Sequence, residues 1–198
     1  MRVVLASSNK GKLRELSTLL APLGYDIVTQ SSLGIDTPPE TGDTFAANAL
    51  LKARYAAAAS NLPALADDSG IEVDALGGRP GIFSARYAGE GASDEDNLRK
   101  MLGEMRDVAE GKRAARYRCV IAFVSTADDA DPILAKGTWE GTLISQPRGL
   151  GGFGYDPIFV PSGFDRTAAE LDPAEKNSLS HRGQALRALI DQLRNRGG

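Results

Sequence analysis

The chain has 198 residues with 23 Lys and Arg against 26 Asp and Glu, a formal charge of −3, which argues against a long nucleic-acid groove. Its 42% hydrophobic and 25% charged residues are those of an ordinary folded protein, and its length fits one domain over 1–198, with two closely joined lobes as the alternative. One cysteine, Cys119, excludes an internal disulfide and a thiolate zinc cage, and one histidine, His181, excludes a multi-histidine metal centre. Oxygen ligands must therefore hold any metal. No apolar run approaches the ~18 residues of a membrane span, and the start MRVVLASSNKGK is too weakly apolar for a signal peptide. The expectation is a cytoplasmic protein with no membrane partner.

In chain order, residues 2 to 6 read as a strand, followed by the polar turn Ser7-Ser8-Asn9 and a helix marked by Leu13, Leu16, Leu20 and Leu23. A second strand at 25 to 30 precedes a loop with Pro38 and Pro39, after which Asp43 is placed to cap an alanine-rich helix over 44 to 60. The chain turns at Asn61 to Pro63. ALADDSGIEV reads as two short strand-like pieces around Asp67-Asp68-Ser69-Gly70, followed by a glycine-rich loop from Gly77 to Gly91. Ser93 caps a helix over 94 to 106, and the runs 115 to 125 and 133 to 145 read as a long antiparallel hairpin. A short strand at 157 to 160 and a last helix from about Ser180, with Leu186, Leu189, Ile190 and Leu193 as its buried stripe, close the chain. Strands interleaved with helices predict an α/β fold with a mixed, twisted central sheet flanked by helices.

Five constellations carry chemistry. Ser7, Ser8, Asn9, Lys10, Gly11 and Lys12 join the first strand to the first helix, where free N–H groups and the helix dipole favour phosphate; the alternative is a plain helix cap. This is no Walker A loop, because Gly11-Lys12 is followed by Leu13 and lacks the earlier glycine. Glu40 and the pair Asp67-Asp68 supply carboxylates, and Mg²⁺ needs only one or two of these beside water. Since neighbouring strand residues point to opposite faces, one of Asp67 and Asp68 faces the site and the other orients or completes it; turn chemistry is the alternative. Phe45, Asn48, Lys52 and Tyr55 share one helix face, where an amide and a lysine line a cleft or the lysine snorkels to solvent.

GLGGFGYDP at 149 to 157 contains G-x-G-x-x-G but leads into a strand, so the dinucleotide reading fails. A loop that admits backbone to a ligand remains, with Phe153 and Tyr155 as exposed aromatic surfaces and a base stacked on Phe153 as the sharper version. Lys176 and Ser180-His181-Arg182 put cations at the unfavourable end of a helix dipole, which suits a ligand role or a solvated helix end.

Taken together and in order, Ser7-x-Asn9-x-x-Lys12, Glu40-Thr41-Gly42, Asn48-x-x-x-Lys52, Asp67-Asp68-Ser69-Gly70, Pro80-Gly81-Ile82, Phe153-Gly154-Tyr155-Asp156-Pro157 and Ser180-His181-Arg182 resemble the inosine/xanthosine triphosphate pyrophosphatases. The resemblance runs from residue 3 to about 195. It implies two α/β lobes around a cleft, a homodimer, and Mg²⁺-dependent hydrolysis of ITP, dITP and XTP to monophosphate and pyrophosphate. By motif, Ser7 to Lys12 hold phosphates with help from Lys52, Glu40 and Asp68 bind metal, and Asp68 is the general base. Ser69, Phe153, Gly154, Tyr155, Asp156, Lys176, His181 and Arg182 contact substrate, largely its base. Asp67 and Asn48 complete the expected site. A chain of net charge −3 accepts a triphosphate only where local cations and metal offset its charge, which Lys12, Lys52, Lys176, Arg182 and Mg²⁺ would do. The rival readings are a pyrophosphatase for modified pyrimidine nucleotides and a nucleotide-sensing module without turnover.

Overall fold

The computed structural model describes residues 1–7, 13, 16–18 and 20–196. Among the described residues six strands form one mixed sheet: β1 (Arg2–Leu5), β2 (Asp26–Thr29), β3 (Ala64–Val73), β4 (Ala114–Val124), β5 (Ile133–Leu143) and β6 (Phe159–Pro161), in the order β2-β1-β3-β4-β5-β6. The helices are α1 (Phe45–Ser60), α2 (Asp94–Glu104), α3 (Pro173–Leu179) and α4 (His181–Arg196), and Leu13, Leu16, Ser17, Thr18 and Leu20 are also helical. Among the described residues no helix is long and apolar enough to cross a membrane. The chain forms two compact units: one from 1–68, 119–136 and 185–198, the other from 69–118 and 137–184.

In the first unit β1 runs parallel to β2, with Val3 opposite Ile27, and parallel to β3, with Leu5 opposite Leu65. A strand paired on both sides within a covered sheet is buried on both faces, and residues Ala64 to Asp68 are all buried. The core joins Val3, Leu5, Leu20, Leu65, Ile121 and Phe123 to Leu186, Leu189 and Leu193 of α4, the stripe expected from spacing. Thr44, not Asp43, caps α1: its backbone is extended and its side chain accepts from the N–H of Ala47. Asn61, in the left-handed region at φ 53°, ends that helix. DDSG does not break the strand into two pieces. β3 runs through it continuously, as an interior strand between β1 and β4, and strand pairing within the sheet overrides the local turn preference of Asp, Ser and Gly.

In the second unit, β5 alternates so that Trp139, Gly141 and Leu143 face inward, and it pairs antiparallel with β6. Gly141 is required there, since a Cβ would lie 2.4 Å from the carbonyl oxygen of Val160. Ile71, Val73, Met101, Tyr117, Trp139, Tyr155, Ile158 and Phe159 build its core. Ser93 caps α2 in a reciprocal capping box with Asp96. The strand expected at 157 begins at Phe159, because Asp156–Ile158 is a 3₁₀ turn with Pro157 in its first turn. α3 was not anticipated; Asp172 caps it and Pro173 opens it, a start signal present in the sequence.

Candidate active site

In the first unit the buried stripe of α1 is Phe45, Asn48, Ala49, Lys52, Ala53, Ala56 and Ala57, so two polar side chains occupy core positions of an otherwise apolar face. Tyr55 lies off that stripe and is exposed. The Lys52 ammonium lies between two carboxylates, donating to Glu40 Oε1 at 2.7 Å and to Asp68 Oδ1 at 3.0 Å. It does not snorkel: Lys52 and Asp68 are only 7% and 8% exposed. Asn48 is completely buried and orders both carboxylate-bearing segments. Its Oδ1 accepts from the N–H of Gly42 at 2.8 Å, and its Nδ2 donates to Asp68 Oδ2 at 3.4 Å. Gly42 makes this docking possible, since a Cβ there would lie 2.7 Å from that of Ala47 and 2.8 Å from Asn48 Oδ1.

The electrostatics follow from that burial. Desolvation raises the Asp68 pKa to about 6 against the opposing pull of Lys52, with Glu40 adding to the rise. Burial depresses Lys52, but Asp68 and Glu40 outweigh it and its pKa ends above the ordinary lysine value. Asp67, next to Asp68 in β3, is equally buried. Ser7, at the end of β1, is half-buried, whereas Ser8, Asn9, Lys10, Gly11 and Lys12 lie outside the described residues.

The second unit holds a different group. The Phe153 ring is 57% exposed, with Lys176 Nζ 4.6 Å from its centroid and the Arg182 guanidinium at 5.9 Å. Arg182 also donates to Ser69 Oγ at 3.4 Å. Asp156 is buried beneath: it pairs with Lys176, and its Oδ2 accepts from the N–H of Phe153 at 2.7 Å while its Oδ1 accepts from the Tyr117 hydroxyl at 3.2 Å. His181 lies flat on Tyr117, ring centroids 4.8 Å apart and planes 8° from parallel. The N–H of Gly154 donates to Asp94 at 2.9 Å. Tyr155 is not an exposed surface. It is buried and donates to the carbonyl of Ser84 at 2.8 Å, because its hydroxyl finds a partner within the core.

Each unit thus gathers sequence-predicted residues: Glu40, Asn48, Lys52 and Asp68 in the first, and Ser69, Phe153, Asp156, Lys176, His181 and Arg182 in the second. Sequence reasoning missed Tyr117, hidden among the alternating residues of β4, and Gly152, where a Cβ would lie 2.2 Å from Asp156 Oδ2. The first group can bind a cation and receive a proton, and the second offers an aromatic face bordered by cationic donors.

The "dITP/XTP pyrophosphatase" of Pectobacterium atrosepticum is 57% identical, and that of Escherichia coli K12 54% identical, each over 98% of both chains. Among solved structures, a HAM1 protein from Coxiella burnetii superposes with a TM-score of 0.95 at 46% identity, covering 98% of this chain and 99% of that one. A "Nucleoside-triphosphatase / dITP/XTP pyrophosphatase" from Mycobacterium abscessus superposes at 0.82 and 42% identity, covering 98% of this chain and all of that one. The profile of the Ham1 family matches residues 3–192, and the chain belongs to that family.

Proposed function

We propose that this protein hydrolyses non-canonical purine nucleoside triphosphates, dITP, ITP and XTP, to the monophosphate and pyrophosphate, removing them from the nucleotide pool. The observation that carries this reading is the buried Lys52 held between Glu40 and Asp68, in a chain more than half identical to dITP/XTP pyrophosphatases. The donor set fits a hard divalent cation: two carboxylates that already share one positive charge, with no sulfur or imidazole ligand between them. Mg²⁺ held by Glu40 and Asp68 would supply Lewis acidity toward phosphate oxygens.

The remaining chemistry falls to the chain. Water attacks the α-phosphorus, its oxygen bonds to phosphorus, and the bond to the bridging oxygen breaks so that pyrophosphate leaves with that oxygen. Asp68 takes the proton of the attacking water, and Lys52 offsets charge on the phosphate oxygens, as does the Ser7 to Lys12 segment. Asp67 supports Asp68 from the same strand. No covalent nucleophile is needed.

Base recognition falls to Phe153, as stacking surface, and to Lys176, His181 and Arg182 as donors to the O6 of hypoxanthine or xanthine. Adenine presents a donor at that position, so the pairing fails and the site's donors go unmatched, a penalty of about 1–3 kcal/mol per buried group. The test is pyrophosphate release with Mg²⁺ from dITP, ITP and XTP against ATP, GTP and dTTP. Preference for dTTP would favour the pyrimidine reading, and binding without release the sensing module. Arg182→Ala should lower the ITP:ATP ratio of kcat/KM; equal losses on both substrates would remove Arg182 from base reading. We further propose a single functional domain that acts in the cytoplasm as a homodimer, with the exposed Phe83 in its interface. Sedimentation of only monomer at micromolar concentration would refute the dimer.

A further inference from the structure

In the second unit His181 and Asp156 both contact one further side chain, Tyr117. Tyr117 is a buried residue of β4, flanked by Phe159 edge-on at 4.8 Å and by Trp139 at 6.4 Å. Its ring is the surface on which the His181 imidazole lies, and its hydroxyl donates to Asp156 Oδ1. The other oxygen of Asp156 holds Lys176 and the N–H of Phe153. The face of Tyr117 therefore fixes the plane of one reader, while its hydroxyl fixes the carboxylate that aims a second reader and the backbone of the stacking ring. A phenylalanine could do only the first, and a leucine neither.

We infer that Tyr117 is a positioning residue for base discrimination, setting the His181 plane through its ring and the Lys176–Phe153 geometry through Asp156. This rests on the proposal that His181, Lys176 and Phe153 read the base. Burial keeps the phenol neutral far above its usual pKa, with the Asp156 charge acting in the same direction, so it remains a donor across the working pH range.

The test compares Tyr117→Phe, Tyr117→Leu and Trp139→Phe, the last perturbing the same core without removing the hydroxyl or the stack. His181 is the only histidine, so its imidazole resonances need no separation from others. In the wild type they should be displaced upfield by the Tyr117 ring. Tyr117→Phe should keep that displacement and raise KM for ITP by roughly 3- to 10-fold, part of the worth of one hydrogen bond to a charged carboxylate, with kcat within about twofold and a smaller rise in KM for ATP. Tyr117→Leu should abolish the displacement and lower the ITP:ATP ratio further. Trp139→Phe should leave both readouts as in the wild type.

An unmoved histidine signal in Tyr117→Leu would overturn the inference, as would ITP and ATP constants that fall in parallel in the Tyr117 variants. If Tyr117→Leu does not fold, a Tyr117→Phe variant with unchanged KM for ITP is sufficient to overturn it. A wild type that does not prefer ITP to ATP fails on its own and refutes the proposed function. Failure of Tyr117 is read from variant differences in a wild type that does discriminate.

Discussion

Lys52→Met removes the ammonium between Glu40 and Asp68 while keeping much of the aliphatic stem that packs in the α1 stripe. Breaking a buried ion pair from one side leaves an uncompensated charge and typically costs ~3–5 kcal/mol. Here proton uptake sets a lower ceiling. With a pKa of about 6 in the metal-free protein, Asp68 lies roughly 1.5 pH units below a working pH of about 7.5, and at ~1.4 kcal/mol per unit its protonated form is only about 2 kcal/mol away. A neutral carboxyl barely feels the loss of Lys52, so the variant loses at most about that amount through Asp68. Glu40, a quarter exposed, adds little.

For a chain of this size ~1 kcal/mol corresponds to roughly 2–4 °C in melting temperature, so the expected drop in chelator-treated protein is measurable but at most roughly 4–8 °C. Mg²⁺ should restore part of it, because a divalent cation takes over the charge that Lys52 supplied, and should stabilise the variant more than the wild type. Turnover should fall by about 10²-fold or more, the usual cost of removing a group aimed at developing charge. Paired thermal melts in EDTA and in Mg²⁺, with pyrophosphate release on the same samples, check both. A variant that melts with the wild type in EDTA and gains nothing extra from Mg²⁺ would refute the reasoning.

Asp68→Asn should lower turnover by about 10²-fold or more in a protein whose circular dichroism is unchanged, as expected for loss of a proton acceptor and metal ligand. Glu40→Gln should be partly rescued by raised Mg²⁺ in the same assay, and a flat Mg²⁺ response would remove Glu40 from metal binding. Gly42→Ala should cost about 1–3 kcal/mol in denaturant titration, since its Cβ would meet Ala47 and Asn48 below contact distance, and activity should fall with it as the Glu40 loop lifts. Gly152→Ala, with φ +74° and a Cβ 2.2 Å from Asp156 Oδ2, should instead raise KM for ITP, measured by steady-state kinetics, while leaving the Mg²⁺ dependence intact.

The periodic parts of the fold were legible in the sequence. α1 and α4 announce themselves by buried residues every three to four positions, and the runs that become β4 and β5 by β-branched and aromatic residues. What failed was local chemistry overridden by tertiary pairing. Asp-Asp-Ser-Gly favours a turn in isolation, yet it lies within β3, an interior strand of the sheet, and Asp68 there meets Lys52. Thr44 and Asp43 are both competent caps, and only the backbone angles decide between them. α3 escaped because seven residues carry too little periodicity, although Asp172-Pro173 marks its start.

For the site, residue types were readable but their division of labour was not. A lysine on a helix face reads equally as solvated or buried. The deciding fact is that Glu40 and Asp68, twelve and sixteen residues away in opposite directions, both end within 3.0 Å of its nitrogen. The glycine-rich run at 149 to 154 was expected to admit a ligand to the backbone, yet three of its glycines, Gly151 against the Ala169 carbonyl among them, serve the protein itself. Gly149 leaves room for the backbone of Ala169, and Gly152 for the Asp156 carboxylate. Among the described residues, Asp156 directs its side-chain hydrogen bonds to Tyr117, Lys176 and Phe153. A carboxylate so placed would repel the O6 of a purine if it faced one; beneath Lys176 it instead fixes a cation and an aromatic ring whose exposed side is the proposed platform for the base. In the proposed mechanism the same residue type acts in the first unit as proton acceptor and metal ligand and in the second as a buried clamp, and burial partners rather than sequence position decide which.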